Sequence, residues 1–210
     1  MRRVKLVGKE ELAFEETDKP EPSKNEVAID VKSCGVCCSD IHSYKGEHPF
    51  VKPPIVLGHE FSGEVSKTGK NARNLEVGDK VVVEPNITCG DCYNCEHGRY
   101  NICENLQVIG NVGYDGAFAD FITVPKEKAL KIPEGMSFEE GALVEPTAVG
   151  VHSVRISDQE LGDKVLVLGA GTIGLATMLA AKDAGASEII ITDIEEKRLE
   201  RAKKLGADYT

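Results

Sequence analysis

Cys89, Cys92, Cys95 and Cys103 stand two, two and seven residues apart in one short polar stretch, Cys89-Gly-Asp-Cys92-Tyr-Asn-Cys95-Glu-His-Gly-Arg-Tyr-Asn-Ile-Cys103. Four thiolates this close can fold a loop around one tetrahedral zinc, each sulfur about 2.3 Å from the metal. The residues between them are polar or turn-forming, so the stretch has no hydrophobic core and a structural metal would supply one. Free thiols or disulfides, and an iron–sulfur cluster, are the competing readings. The cluster fits less well. Ferredoxin runs place the fourth cysteine after about three residues and follow it with proline, whereas here the gap is seven and Glu104 follows.

Two further clusters lie upstream, Cys34-Gly-Val-Cys37-Cys38-Ser39-Asp40-Ile-His42 and Gly58-His59-Glu60. A thiolate, an imidazole and a carboxylate from separate loops are what a catalytic zinc uses while keeping one position open. Alone, Gly58-His59-Glu60 reads as an ordinary loop. Cys34, Cys37 and Cys38 alone could form a redox dithiol, although no thioredoxin-like βαβ pattern surrounds them.

The third constellation is Gly169-Ala-Gly171-Thr-Ile173-Gly174, with an acid, Asp193, 19 positions after the last glycine. It follows the apolar run Lys164–Leu168 and precedes a helix over Leu175–Ala184, stopped by Gly185; the strand Ile189–Thr192 then leads to Asp193. That is the order of a dinucleotide-binding turn. Gly169 permits the tight turn, Gly171 lets backbone approach a pyrophosphate, and Gly174 allows close helix–strand packing. The helix amino terminus offers free N–H groups to phosphate. Asp193 can accept both ribose hydroxyls and would repel a 2′-phosphate, which favours NAD over NADP. Gly169, Gly171, Ile173, Gly174 and Asp193 are the expected cofactor residues.

The elements that must position these groups change character along the chain. Up to about residue 145, short β-branched strands (Val27–Val31, Lys80–Glu84, Ala117–Val124) alternate with proline and glycine turns, and no helical period is sustained. This predicts a β-rich domain. After Pro133, Ser137 and Glu140 form a capping-box pair, a helical passage runs through Ala148–Val154, and a strand–turn–helix–strand pattern follows. The run Lys164–Leu168 is continuously apolar, as in a strand covered on both faces. The expected domains are 1–148 and 149–210, an α/β chain with a β-rich first domain.

Twenty-five basic against thirty-five acidic residues give a net charge of −10. Such a surface repels phosphate backbones and anionic headgroups, so neither nucleic acid nor membrane is an expected partner. No stretch approaches the ~18 apolar residues of a membrane helix. The amino terminus lacks the apolar run of a signal peptide. Seven cysteines, an odd number, all lie between positions 34 and 103. That usage fits metal ligation in a reducing compartment, with the cytoplasm expected.

Taken together and in this order, the three constellations resemble the zinc-dependent medium-chain dehydrogenase/reductase family over essentially the whole chain. The nearest likeness is to polyol (sorbitol or L-iditol 2-) dehydrogenases and their threonine and butanediol dehydrogenase relatives. It is carried by Gly58-His59-Glu60-Phe-Ser-Gly63-Glu-Val65, Gly141-Ala-Leu-Val-Glu145-Pro146 and Gly169–Gly174. The resemblance implies a GroES-like catalytic domain followed by part of a doubly wound parallel Rossmann domain. It implies two zinc ions, one catalytic and one structural, with NAD as cofactor and a small secondary alcohol or polyol as substrate, oxidised to a ketone by hydride transfer. It assigns Cys37 and His59 to the catalytic metal, with Glu60 and Glu145 competing for the carboxylate role. Ser39 would hydrogen-bond the substrate hydroxyl, His42 would relay its proton, Asp40 would support the site, and Arg198 would contact the adenosine ribose. One departure is Ser43 directly after His42, where polyol dehydrogenases often have an aromatic residue; Tyr44 comes one step later, a spacing that also suits threonine or diol dehydrogenases.

The resemblance also implies a homo-oligomer in a full-length form. A dinucleotide fold has about six strands, and only two precede the end at Asp208-Tyr-Thr210, so the expectation is an amino-terminal fragment that does not turn over alcohol alone. A non-catalytic zinc-binding module is the competing function.

Overall fold

The computed structural model describes residues 1–210 and divides into two compact units, Met1–Leu143 and Val144–Thr210. In the first, β1 (Arg2–Gly8) pairs antiparallel with β2 (Glu11–Glu16) and with the short β4 (Ile55–Val56). The main sheet has five antiparallel strands. In order they are β10 (Phe121–Pro125), β3 (Glu26–Cys34), β5 (Phe61–Thr68), β6 (Lys80–Val83) and β11 (Ala129–Lys131). Alternate residues Val27 and Ile29, Phe61 and Val65, Val81 and Val83, and Ile122 and Val124 are buried in one core, the period-two pattern that a strand's side-chain geometry demands. A third small sheet joins β7 (Asn86–Ile87), β8 (Gln107–Ile109) and β9 (Gly113–Tyr114). The four-cysteine stretch loops out between β7 and β8 and carries one α-helical turn, α2 (Tyr93–Glu96), and a 3-10 turn at Tyr100–Ile102.

Register decides where the upstream motifs meet. Cys34 at the end of β3 lies opposite Phe61 at the start of β5, and the Gly35 N–H donates to the Glu60 carbonyl at 2.7 Å. The sheet thereby sets Gly58-His59-Glu60 beside Cys34–Asp40. The chain then turns into α1 (Cys38–Tyr44), and Asp40 in its first turn closes the start, its carboxylate accepting the N–H of the capping residue Cys37 at 2.8 Å. Helix α3 (Phe138–Ala142) has the predicted capping box, with Glu140 N–H donating to Ser137 Oγ at 3.1 Å and Ser137 N–H to Glu140 Oε2 at 2.8 Å.

In the second unit, α4 (Val144–Arg155) precedes β12 (Lys164–Leu168), α5 (Thr172–Asp183), β13 (Glu188–Thr192) and α6 (Glu196–Lys204). β12 and β13 run parallel, in register from Lys164–Glu188 to Leu168–Thr192. Tyr209 makes a parallel bridge to Ile190 on β13. Helices α4 and α5 pack closely because Gly150 has no side chain; a Cβ there would lie 2.6 Å from the Ala176 carbonyl carbon.

Three local expectations change. Residues 117–119 are not part of β10, because Ala117 and Phe118 donate to the carbonyls of Gly58 and Leu57 rather than to β3. The β-rich unit contains α1 and α2, each too short for a 3.6-residue period to show. β12 is covered on one face only: Val165 and Val167 join the core, while Leu166 and Leu168 are exposed. A continuous apolar run does not distinguish these cases by itself.

Candidate functional site

In the cysteine lobe the four Sγ atoms lie within 4.8 Å of one another. Cys89–Cys103 are 3.4 Å apart, Cys92–Cys103 3.9 Å and Cys89–Cys95 4.0 Å. Sulfurs held about 2.3 Å from one tetrahedral zinc are about 3.8 Å apart, so the lobe has the dimensions of a zinc site. These separations are far beyond a disulfide bond of about 2.05 Å. The backbone N–H of Cys89 and Asn105 points at Cys103 Sγ, each at 3.4 Å. Such donors lower the Cys103 thiol, and those of Glu104 and Cys95 bring Cys92 down to about 6. Thiolate, the form a metal takes, is thus favoured at these two sulfurs, whereas a hydrogen bond with Asp91 raises the Cys89 thiol and burial pushes Cys95 up to about 12.

The second cluster is Cys37, His59 and Glu60, whose ligand atoms also lie within 4.8 Å of one another. Cys37 is the residue immediately before α1, and its thiol is lowered chiefly by a hydrogen bond with His59. Gly58 sets the imidazole's approach: its φ of +96° belongs to glycine, and a Cβ there would meet the Phe118 ring at 2.7 Å and Cys34 Sγ at 3.0 Å. Behind His59 stands Asp40, its Oδ1 3.7 Å from His59 Nδ1. Burial pushes the Asp40 carboxyl up, and the neighbouring imidazole opposes that shift. Glu60 is also buried. Cys34 and Cys38 stay outside the cluster, and burial drives the Cys34 thiol up to about 12.

Ser39 Oγ is buried beside Cys37, where a hydrogen bond from Ser39 helps to lower that thiol. His42 is exposed on α1, its Nδ1 3.0 Å from Glu47 Oε2. Sequence reasoning misses Glu47, since a partner five residues on, beyond the helix end, leaves no periodic signal. Glu145 stands in the first turn of α4, in the second unit. His48 accepts the N–H of Phe50 and Val51, and His97 Nδ1 lies 2.7 Å from the Tyr93 carbonyl oxygen.

At the glycine turn, Gly169 has φ +99°. A Cβ at Gly174 would fall 1.8 Å from the Gly169 carbonyl oxygen, whereas nothing lies within 4 Å of one at Gly171. The Gly171 backbone therefore faces open space at the start of α5, beside Ile173 in its first turn. Asp193 ties the turn together. Its Oδ2 accepts the Ala170 N–H at 2.8 Å, its Oδ1 the Glu195 N–H at 2.9 Å, and Arg198 Nη1 lies 3.4 Å from Oδ2. The Glu195 and Ala170 donors hold this carboxyl below the usual range.

Comparison with known families settles the class. The family model described as the alcohol dehydrogenase GroES-like domain matches residues 23–134, more than half of the chain. The chain belongs to the GroES-like alcohol dehydrogenase family. A second model, described as zinc-binding dehydrogenase, matches residues 172–210. Sorbitol dehydrogenase of Bacillus subtilis (strain 168) is 38% identical over 212 residues, covering 100% of this chain and 60% of that protein. The crystal structure of 2R,3R-butanediol dehydrogenase from Bacillus subtilis superposes with a TM-score of 0.92 at 36% identity, over 100% of this chain and 62% of that one. A zinc-binding dehydrogenase from Sinorhizobium meliloti 1021, solved bound to NADP, gives a TM-score of 0.95 at 36% identity, with coverage of 100% and 60%. The chain thus spans about 60% of the length of these relatives. No helix is long and apolar enough to cross a membrane.

Proposed function

We propose that the protein carrying this chain oxidises a secondary alcohol, of the polyol type, to a ketone using zinc and a nicotinamide dinucleotide. The observation that carries this reading is the meeting of Cys37, His59 and Glu60 ligand atoms within 4.8 Å, in a family that also has the dinucleotide turn. Cys37 and His59 hold the catalytic metal, and either Glu60 or Glu145 supplies the carboxylate. Cys89, Cys92, Cys95 and Cys103 hold the structural one. When bound, a zinc ion at such a site polarises the coordinated oxygen and makes its proton easier to remove. Ser39 offers its buried hydroxyl to the substrate oxygen. His42, oriented by Glu47, passes the proton to solvent, and Asp40 steadies His59 from behind. The N–H groups around Gly171 and the start of α5 receive the pyrophosphate, with Gly169, Ile173 and Gly174 shaping the turn. Asp193 and Arg198 take the adenosine ribose.

NAD is the expected cofactor, since a carboxylate at the ribose repels a 2′-phosphate; the NADP bound to the Sinorhizobium relative is the reason to test it. Sorbitol-like polyols are favoured by the Bacillus sorbitol dehydrogenase, and vicinal diols by the butanediol dehydrogenase structure together with Ser43 after His42. Cysteine usage supports a cytoplasmic protein, and its acidic charge argues against nucleic acid and membrane partners. The test is an assay of the complete gene product, read to its stop codon. It is supplied with NAD or NADP against sorbitol, xylitol, butane-2,3-diol and threonine, and reduced cofactor is followed by absorbance. Polyol oxidation with NAD is expected. Preference for NADP overturns the Asp193 reading, threonine or diol turnover changes the substrate class, and inactivity of the zinc-loaded protein on all four favours a non-catalytic module.

A further inference from the structure

We infer that Gly35 is a positioning residue for the metal cluster: its missing side chain is the space in which the Glu60 carboxylate is held beside Cys37 and His59. This rests on the metal reading above. A Cβ on Gly35 would lie 2.4 Å from Glu60 Oε2, 3.2 Å from Glu60 Cβ and 3.5 Å from Glu60 Cδ. The Glu60 side chain therefore lies across the face of residue 35. The two backbones are fixed to each other there by the 2.7 Å hydrogen bond from Gly35 N–H to the Glu60 carbonyl, one step beyond the Cys34–Phe61 pair of the sheet. Backbone conformation does not explain the glycine, because Gly35 is absent from the residues with positive φ. Space does.

The contrast with other close approaches is informative. Cβ atoms at Gly63 and Gly110 would strike backbone, the carbonyl oxygens of Asp30 and Gly58, so those glycines serve the fold. At Gly35 the nearest atom is the far end of a flexible, buried carboxylate whose ligand atoms belong to the metal cluster. An alanine here meets only the Glu60 side chain among its nearest atoms, so the carboxylate must swing and Glu60 Cβ give by a few tenths of an ångström. The consequence belongs to the metal, since groups that orient a ligand are worth about 10–100-fold in metal affinity.

The test uses the 210-residue chain, which contains the whole cluster. Gly35→Ala, Glu60→Gln, the double variant and Cys37→Ser are purified, and cobalt is titrated against a competing chelator while visible absorption is recorded. Gly35→Ala should bind the ion in this cluster at least about tenfold more weakly, the scale of displaced supporting groups, with an altered cobalt spectrum. Metal in the four-cysteine lobe should be unchanged, which also reports that the protein is folded. In the Glu60→Gln background the alanine should add nothing. Wild-type affinity and spectrum in Gly35→Ala overturn the proposal, as does an equal loss with and without the Glu60 carboxylate. If Cys37→Ser keeps both metals, the cluster itself is not a metal site. That outcome is separate from a failure of Gly35 alone.

Discussion

At the scale of single residues, the cysteine lobe gathers its four ligands within one loop, whereas Cys37, His59 and Glu60 come from separate segments. The four cysteines announce their site because two-residue gaps leave the thiolates almost no other shared geometry, and their separations of 3.4–4.0 Å match one ion. Glu47 and Gly35 were silent, because a helix end and a sheet register place them, and neither is written in local spacing. Asp193 is a case between. Its position after β13 was readable, but its bonds to Ala170 and Glu195 were not. Those bonds predict a pH effect. A carboxyl held below its ordinary value in the folded chain contributes its full stability above about pH 4 and loses it as pH falls through the lower folded value. Urea unfolding should therefore weaken in wild type below about pH 4, with a shallower dependence in Asp193→Asn. Parallel acid profiles would show that the carboxylate does not secure the turn.

At the scale of elements, β12, α5, β13 and the α3 capping box followed the sequence closely, since each combines a periodic or apolar run with a marked start or stop. Helix α1 leaves little trace in the sequence, because seven residues make only two turns and its first-turn partner, Asp40, also has a ligand-supporting chemistry. Ser137→Ala should lower stability by about 1 kcal/mol, the usual worth of an N-cap, measured by urea unfolding; no change would mean the box is not formed in solution. The glycine turn gives a sharper pair. Gly174→Ala must move a Cβ away from the Gly169 carbonyl oxygen, and overpacking of that kind costs on the order of 1–3 kcal/mol. Gly171→Ala meets nothing and should melt like wild type while weakening NADH binding several-fold in a fluorescence titration. Equal melting of both variants would contradict the packing of this turn.

For the whole molecule, one unit contains both metal clusters and the other the dinucleotide turn, a division visible in the sequence as the change from turn-broken strands to strand–helix alternation. What spacing alone left open was whether Cys37 and His59, 22 positions apart, meet; the pairing of β3 with β5 brings them together. The two clusters should respond independently to loss of a ligand. Cys92→Ser should release one zinc and destabilise the lobe, because a structural zinc contributes on the order of 10 kcal/mol in small modules. Cys37→Ser should release the other and leave the sheet intact. The most direct measurement is zinc per chain by elemental analysis of wild type, Cys37→Ser and Cys92→Ser, each paired with a circular dichroism spectrum. Two, one and one are predicted, with wild-type sheet content in Cys37→Ser. A single zinc in wild type, or two retained in Cys37→Ser, would contradict a catalytic metal at Cys37, His59 and Glu60.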